Sequence, residues 1–298
     1  NIETKNVQEH LNNNKVVIVA GFQGISENNE ITTLGRGGSD TTAVALAAAL
    51  SAEKCDIYTD VTGVYTTDPR FVKEARKLYA VSYDEMLELA NLGAGVLHPR
   101  AVEFAKNYGV KLVVRSSMED EDGTIIEEEV SMENSLVVRG IAFEDQITKV
   151  TVCGLPNELH TLSTIFTTLA KNNIDVDIII QSSLDKDGSN ISFSVKTKDV
   201  ENTIYVLEQN KEKLAFSHIE QESKLAKVSI VGSGMVSNPG VAAEMFHVLA
   251  TEGIHVKMVS TSEIKVSTVV DEAAMVKAVE ALHVAFKLGE SEVQKVNV

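Results

Sequence analysis

Short apolar runs alternate with amphipathic stretches along residues 15–115. The runs at 15–20, 55–59 and 110–115 predict strands, and the stretches at 40–52, 82–93 and 99–108 predict helices. Residues 16–20 read VVIVA, a continuous apolar run of the kind found in strands covered on both faces, so it presupposes neighbouring strands. Short strands alternating with helices of about a dozen residues imply a parallel or mixed sheet with helices on both faces. The character changes at 116–135. Met118 to Asp122 is polar and acidic, Gly123 breaks it, and three glutamates follow at 127–129. This predicts a surface linker and a domain boundary.

Beyond residue 135 the chain repeats itself. KVTVCG at 149–154 matches KVSIVG at 227–232, an offset of 78. Phe166, Leu169, Ala170, Ile174 and Ser182 match Phe246, Leu249, Ala250, Ile254 and Ser262 at an offset of 80, so the second copy carries two extra residues at 233–238. Each copy reads strand, helix, strand, strand, helix, with 190–196 and 199–211 closing the first and 264–270 and 271–285 closing the second. Two copies fall short of a solenoid and fit two small α+β modules packed side by side. The helices after the first strands carry apolar residues at helical spacing, Leu162, Ile165, Phe166 and Leu169 in one copy and Val241, Met245, Phe246 and Leu249 in the other; these are core. The expected division is 1–118, a linker at 119–135, a first module at 136–224 and a second at 225–298.

The chain has 298 residues, room for two or three domains, and a formal charge of −16. That acidity argues against a nucleic-acid surface, since phosphate backbones select Lys and Arg. The two cysteines, Cys55 and Cys153, sit in apolar strand-like runs and read as small buried hydrophobes. No apolar run approaches the roughly 20 residues of a membrane span, and no signal peptide opens the chain. A cytoplasmic protein is expected. The opening is polar and lacks an initiator Met. With the buried character of 16–20, this leads us to expect residues upstream.

The sharpest local signal is TTLGRGGSD at 32–40, followed at once by an Ala-rich helix. Gly35, Gly37 and Gly38 let backbone approach a ligand closely. Ser39 and Asp40 are favourable N-cap residues. Helix-start amides and the helix dipole favour an anion there, and Arg36 adds a fork suited to carboxylate or phosphate. A tight turn before a capped helix is the alternative reading. The spacing is neither a Walker loop nor a dinucleotide fingerprint. The second signal is YTDVTGVYTTDPR at 58–70. Asp60 lies at the C-terminal end of a strand, where open α/β sheets bind ligands. Gly63 and Pro69 punctuate the loop, Tyr65 is suited to lie against a base or ribose, and Arg70 to reach phosphates. By itself this segment reads as a structured loop.

GRGGSD before an Ala-rich helix, then TDVTGVYTTDPR, LGAGVLHPR and VRSS in that order resemble the aspartokinases of the amino-acid kinase superfamily, and the duplicated tail resembles their paired ACT modules. The likeness runs from about residue 12 to 288. It implies part of a three-layer αβα amino-acid-kinase sandwich followed by two α+β (βαββαβ) modules. It implies transfer of the γ-phosphoryl of ATP to the β-carboxylate of L-aspartate, giving 4-phospho-L-aspartate, the first step of lysine, threonine and methionine biosynthesis. By this likeness Arg36 and the amides of Gly37, Gly38 and Ser39 hold substrate. Asp40 organises the amino group or a catalytic lysine. Thr59, Asp60, Tyr65, Thr66, Asp68 and Arg70 surround ATP, and Mg²⁺ bridges its phosphates without a dedicated protein ligand. The family's opening KFGGT motif and its front-half substrate glutamate are absent from the sequence, so this chain alone is expected to be a poor kinase. Gly95 stands where many relatives carry Lys, and His98, before Pro99, is read as a capping or core residue.

In the tail, residues 237–241 (SNPGV) form a turn whose amides suit a carboxylate at the next helix start. Asp177 and Gln181 bracket an apolar strand, and Asp177 is suited to a ligand ammonium. The ACT likeness implies effector binding between modules by Asn157, Val176, Asp177 and Gln181 of the first copy and His255, Val256 and Ser262 of the second. STSEIK at 260–265 resembles the lysine-regulated class, with lysine favoured over threonine as effector. The likeness implies a homodimer or hetero-oligomer through the modules, without nucleic acid or membrane. Met132 is a candidate internal start for a regulatory-only chain. The alternatives are a non-catalytic lysine-sensing chain that controls a partner, or a different amino-acid kinase.

Overall fold

The computed structural model describes residues 2–128, 130, 136–184 and 188–290; Met132 lies outside them. The N-terminal lobe runs α1 (Lys5–Asn12), a small hairpin β1 (Gln23–Ile25) and β2 (Ile31–Thr33), α2 (Gly38–Ala49), β3 (Cys55–Thr59), β4 (Ala80–Ser82), α3 (Tyr83–Asn91), α4 (Pro99–Tyr108), β5 (Leu112–Ser116) and β6 (Thr124–Glu127). Four strands form a mixed sheet in the order β3-β5-β6-β4, with β3/β5 and β4/β6 parallel and β5/β6 antiparallel. Apolar side chains of α2, α3 and α4 close over it: Val44, Met86, Leu89, Ala101, Val102 and Ala105 share one buried cluster with Ile57, Leu112, Val114 and Ile126. Each fully buried Leu or Ile of this kind contributes roughly 1.5–3 kcal/mol. Local signals set the helix ends. A capping box of Ser82 and Glu85 starts α3; His98 caps α4, Pro99 opens it, and left-handed Gly109 closes it.

Two expectations are corrected. Residues 15–20 form no strand, and Val16 and Ile18 are 93% and 94% exposed. An apolar run becomes a strand only where a neighbour satisfies its backbone groups, and none of the described strands lies beside it. The stretch expected as a linker from 119 instead supplies β6, whose Thr124 and Ile126 are fully buried in the lobe. The acidic residues around it masked a short inside–outside alternation. Gly123 is a point of close approach rather than a plain breaker: a Cβ there would lie 2.1 Å from the Val114 carbonyl oxygen.

The tail runs β7 (Gly140–Leu155), α5 (Thr161–Lys171), β8 (Ile179–Leu184), β9 (Gly188–Lys196), α6 (Val200–Gln209), α7 (Lys211–Leu214), β10 (His218–Val231), α8 (Val241–Thr251), β11 (Met258–Thr261), β12 (Lys265–Asp271) and α9 (Met275–Ala285). Its six strands form one sheet in the order β11-β12-β10-β7-β9-β8. The two long central strands serve both copies of the repeat. Residues 149–153 of β7 pair with 218–222 of β10 in the first unit, and 140–147 pair with 225–231 in the second. Both strands kink between these halves, where Gln146 and Lys224 have φ of 56° and 60° and the register shifts. The second module therefore borrows a strand half, residues 140–147, from across the 224/225 division. Both cysteines are buried, and no described helix is long and apolar enough to cross a membrane.

Candidate functional site

The glycine-rich turn takes its shape from two left-handed residues, Gly35 (φ 78°) and Gly37 (φ 73°). Helix α2 then starts at Gly38, two residues before the expected start at 40: Gly37 is the N-cap, and Ser39 and Asp40 occupy the first turn. The Gly38 amide is spent on the Gly35 carbonyl and the Thr41 amide on the Gly37 carbonyl, at 2.9 and 3.0 Å. Between them, the amides of Ser39 and Asp40 have no acceptor among the described residues. Arg36 is exposed and forms no ion pair among the described residues. Beneath the turn the His98 ring fills the space a side chain at Gly37 would take; a Cβ there would lie 2.2 Å from it. The His98 amide donates to Asp40 Oδ2 at 3.5 Å, and its ring Nδ1 accepts from the Arg100 amide at 3.3 Å, so His98 has the capping role expected of it. The result is an open cradle of helix-start amides beside an uncommitted guanidinium, suited to a carboxylate.

The second loop leaves the C-terminal end of β3. Parallel pairing sets Thr59 opposite Ser116, and the Ser117 amide and hydroxyl both donate to the Thr59 carbonyl, at 2.9 and 3.2 Å. The Thr59 hydroxyl donates to Asp60 at 3.1 Å, and Asp60 is exposed. Tyr65 is half-buried, its hydroxyl 2.8 Å from that of Thr62. Asp68 accepts from the backbone and guanidinium of Arg70, with a closest contact of 2.6 Å. Those side-chain bonds hold the Asp68 carboxyl below the usual range despite its partial burial, and they raise Arg70. Thr66 turns the other way. It is fully buried, its hydroxyl meets the Arg76 amide and His283 Nε2 at 3.0 Å each, and its carbonyl accepts from the Ile141 amide at 2.7 Å. Alternation along the extended stretch at 64–66 sends Val64 and Thr66 inward and Tyr65 outward. Thr66 thus joins the loop to the tail and offers no free group to a nucleotide.

A buried junction between lobe and tail was not foreseen. Glu85 is fully buried. One carboxylate oxygen accepts from the amide and hydroxyl of Ser233, each at 2.8 Å; the other accepts from the Ser82 amide at 3.1 Å and lies 3.7 Å from Arg139 Nε. Burial pushes this carboxyl up, but the Ser233 amide, the Arg139 charge and the Ser82 amide outweigh it, and Glu85 sits below its ordinary value. Lys265 of β12 reaches Glu88 at 2.8 Å beside it. The capping box pattern was readable from residues 82–85, but nothing local signalled a partner 148 positions away.

Of the expected effector residues, Val176 and Asp177 precede β8 as His255 and Val256 precede β11. Ile178 and Met258 share one small buried cluster with Ile147, Leu225 and Val269, so the two stretches meet mid-sheet. Asp177 is already engaged: Lys227, only 6% exposed, bonds to it and lies 3.2 Å from Glu144. An internal ammonium therefore occupies the carboxylate expected to take a ligand's. Gln181 lies on edge strand β8, and Ser262 in the β11–β12 turn, its amide donating to the Lys265 carbonyl at 2.8 Å. Their strands diverge to opposite edges of the sheet. Asn157 is exposed ahead of α5.

The amino acid kinase family profile matches residues 1–116 and the ACT domain profile residues 228–286. An aspartokinase of Bacillus sp. (strain MGA3) is 74% identical over 99% of this chain and 72% of its own length. Aspartate kinase of Clostridium acetobutylicum superposes with a TM-score of 0.81 at 27% identity, over 89% of this chain and 62% of that one. E. coli aspartokinase III, solved with aspartate and ADP in an R-state, gives 0.77 at 32% identity, over 94% of this chain and 63% of that one. Solved with lysine and aspartate in a T-state, it gives 0.76 at 31% identity, over 95% and 63%. The chain thus spans under two thirds of these solved chains and about seven tenths of the curated relative. The order and spacing of the cradle, the β3 loop and the paired tail modules are those of one family, and the chain belongs to it: the aspartokinases.

Proposed function

We propose that the chain carries the substrate cradle, the β3 nucleotide loop and the sensing tail of an aspartate kinase, which moves the γ-phosphoryl of ATP to the β-carboxylate of L-aspartate. The observation that carries this reading is the junction of the turn with α2, where the open amides of Ser39 and Asp40 follow closely on the exposed Arg36, which forms no ion pair among the described residues. The acceptor carboxylate is already ionised at neutral pH, so no strong base is required. The difficulty is to bring two anions together, and positioning with positive charge must supply the rate. In this reading Arg36 and the first-turn amides, with Gly37, Gly38 and Ser39 shaping the approach, hold aspartate. Asp40, anchored by the His98 amide, orders the first turn and faces the substrate ammonium. Thr59, Asp60 and Tyr65 line the nucleotide, and the Asp68–Arg70 pair presents a guanidinium to phosphate. Mg²⁺ takes oxygen ligands, mostly from phosphate and water; the exposed Asp60 carboxylate and the Thr59 hydroxyl are donors of that kind. Bound there with ATP, the ion would supply neutralisation of the phosphate charge. We divide the chain into a kinase part ending after β6 and two modules meeting at 224/225.

The tail, in the same reading, senses lysine between its modules and favours one arrangement of the lobe. The solved E. coli relative with lysine supports that choice of ligand. Strand β8 leaves a sheet edge open, with Ile179 48% exposed, which supports pairing between chains. The reaction is cytoplasmic, where ATP and free amino acids are supplied. The test is ADP formation by the full-length gene product with MgATP, trapping the acyl phosphate with hydroxylamine. Aspartate is expected to support both ADP and hydroxamate, and glutamate neither. Lysine binding without turnover would favour a sensing chain, and hydroxamate from glutamate a different amino-acid kinase.

A further inference from the structure

We propose a divalent transition-metal site in the first module, formed by Cys153 of β7 with His218 and Glu220 of β10. Cys153 and His218 are direct partners in the antiparallel ladder, and Glu220 is two residues along on the same face. Their ligand atoms all lie within 4.8 Å of one another, and His218 Nε2 is 3.3 Å from Glu220 Oε1. A tetrahedral zinc ion, bonded at about 2.0–2.3 Å, needs its ligand atoms roughly 3.3–3.7 Å apart, so small side-chain rotations close the set. The sequence holds 43 Asp and Glu residues, yet among the described residues this is the one place where three such groups converge.

Two further observations support the site. With Nε2 facing the cation, His218 Nδ1 lies 3.2 Å from the Ser217 hydroxyl, the outer hydrogen bond that fixes ring orientation in metal centres. The repeat supplies an internal control. Cys153 corresponds to Val231, which pairs with Gly140 as Cys153 pairs with His218; Glu220, opposite Thr151, corresponds to Ala142, opposite Ser229. The second module thus has Val, Gly and Ala at these places, and Ala142 and Val231 there pack into the lobe's core. The fold does not require metal-binding side chains at these positions, and the first module has three of them. A thiolate, an imidazole and one carboxylate select zinc-like ions over Mg²⁺, which prefers all-oxygen shells. His218 and Glu220 are surface-accessible, leaving a fourth position open to water. Bound metal would clamp β10 to β7, the two strands that pass between the modules.

The test is titration of the reduced chain with Co²⁺, followed by displacement with Zn²⁺. One equivalent should produce a thiolate-to-cobalt charge-transfer band that Zn²⁺ removes and excess Mg²⁺ does not. The band should vanish in Cys153→Ser, and affinity should fall about tenfold or more in His218→Ala and Glu220→Gln; both replace exposed side chains and leave folding intact by circular dichroism. Absence of the band at one equivalent would overturn the proposal. So would its survival in Cys153→Ser, or unchanged affinity in both other variants.

Discussion

At the scale of single residues, the cradle depends on an atom that is missing. Gly37 combines a left-handed backbone with a His98 ring that leaves no room for a Cβ. Gly37→Ala is expected to cost about 2 kcal/mol or more, measured by urea unfolding, and to displace the ring that caps α4. Stability within about 0.5 kcal/mol of the parent would contradict the packing described. Glu85 is the opposite case, a side chain whose every contact counts. Its folded-state pKa is lowered, so its contribution is present above the unfolded carboxylate value of about 4.3 and is lost as pH falls through the folded value. Glu85→Gln turns amide donors toward the Ser233 and Ser82 donors, and should destabilise by about 3 kcal/mol at neutral pH. The gap should narrow below about pH 4.3; a gap that stays constant with pH would contradict an ionised Glu85. The shape of the turn was readable in sequence because its glycines and the helix start lie within nine residues. Glu85 was not, because its partners come from a distant turn.

At the scale of elements, short-range patterns located helices and strands well: β3 and α4 fall where the periodicity placed them. The failures share a cause, since an element's fate depends on what lies beside it. Residues 15–20 have strand composition without a paired strand. β6 is a four-residue strand hidden among acidic flanks, and it forms between one parallel and one antiparallel neighbour. Thr66 belongs by motif to a nucleotide loop but is claimed by α9 through His283. Burial holds the His283 imidazole below its ordinary pKa; Glu74 opposes this and Arg76 adds to it. A lowered histidine pKa means the unfolded chain takes up the proton first. The Thr66–His283 contact therefore contributes fully above about pH 6.5 and weakens as pH falls below it. The thermal midpoint should drop between pH 7.5 and 5.5 more steeply in the parent than in His283→Gln. Equal slopes would rule out a buried neutral imidazole at this joint.

At the scale of the whole molecule, lobe and tail meet through Glu85 with Ser233, Glu88 with Lys265, and Thr66 with His283. All three tail partners lie in the second module, and strands β7 and β10 run on from that module into the first. A ligand that shifts one module against the other would therefore act on α3, which packs against α4, and on the loop after β3 through continuous strands rather than through a flexible tether. The repeat announced two modules, but their shared strands were hidden, because a sequence offset shows likeness and not which strand halves pair. In the proposed reading, what the lobe does rests on Arg36. The most direct test is steady-state kinetics of Arg36→Ala in the full-length gene product, varying aspartate and MgATP separately. The account predicts that kcat/KM for aspartate falls about a hundredfold or more while KM for MgATP stays within about twofold. Unchanged aspartate kinetics would contradict it.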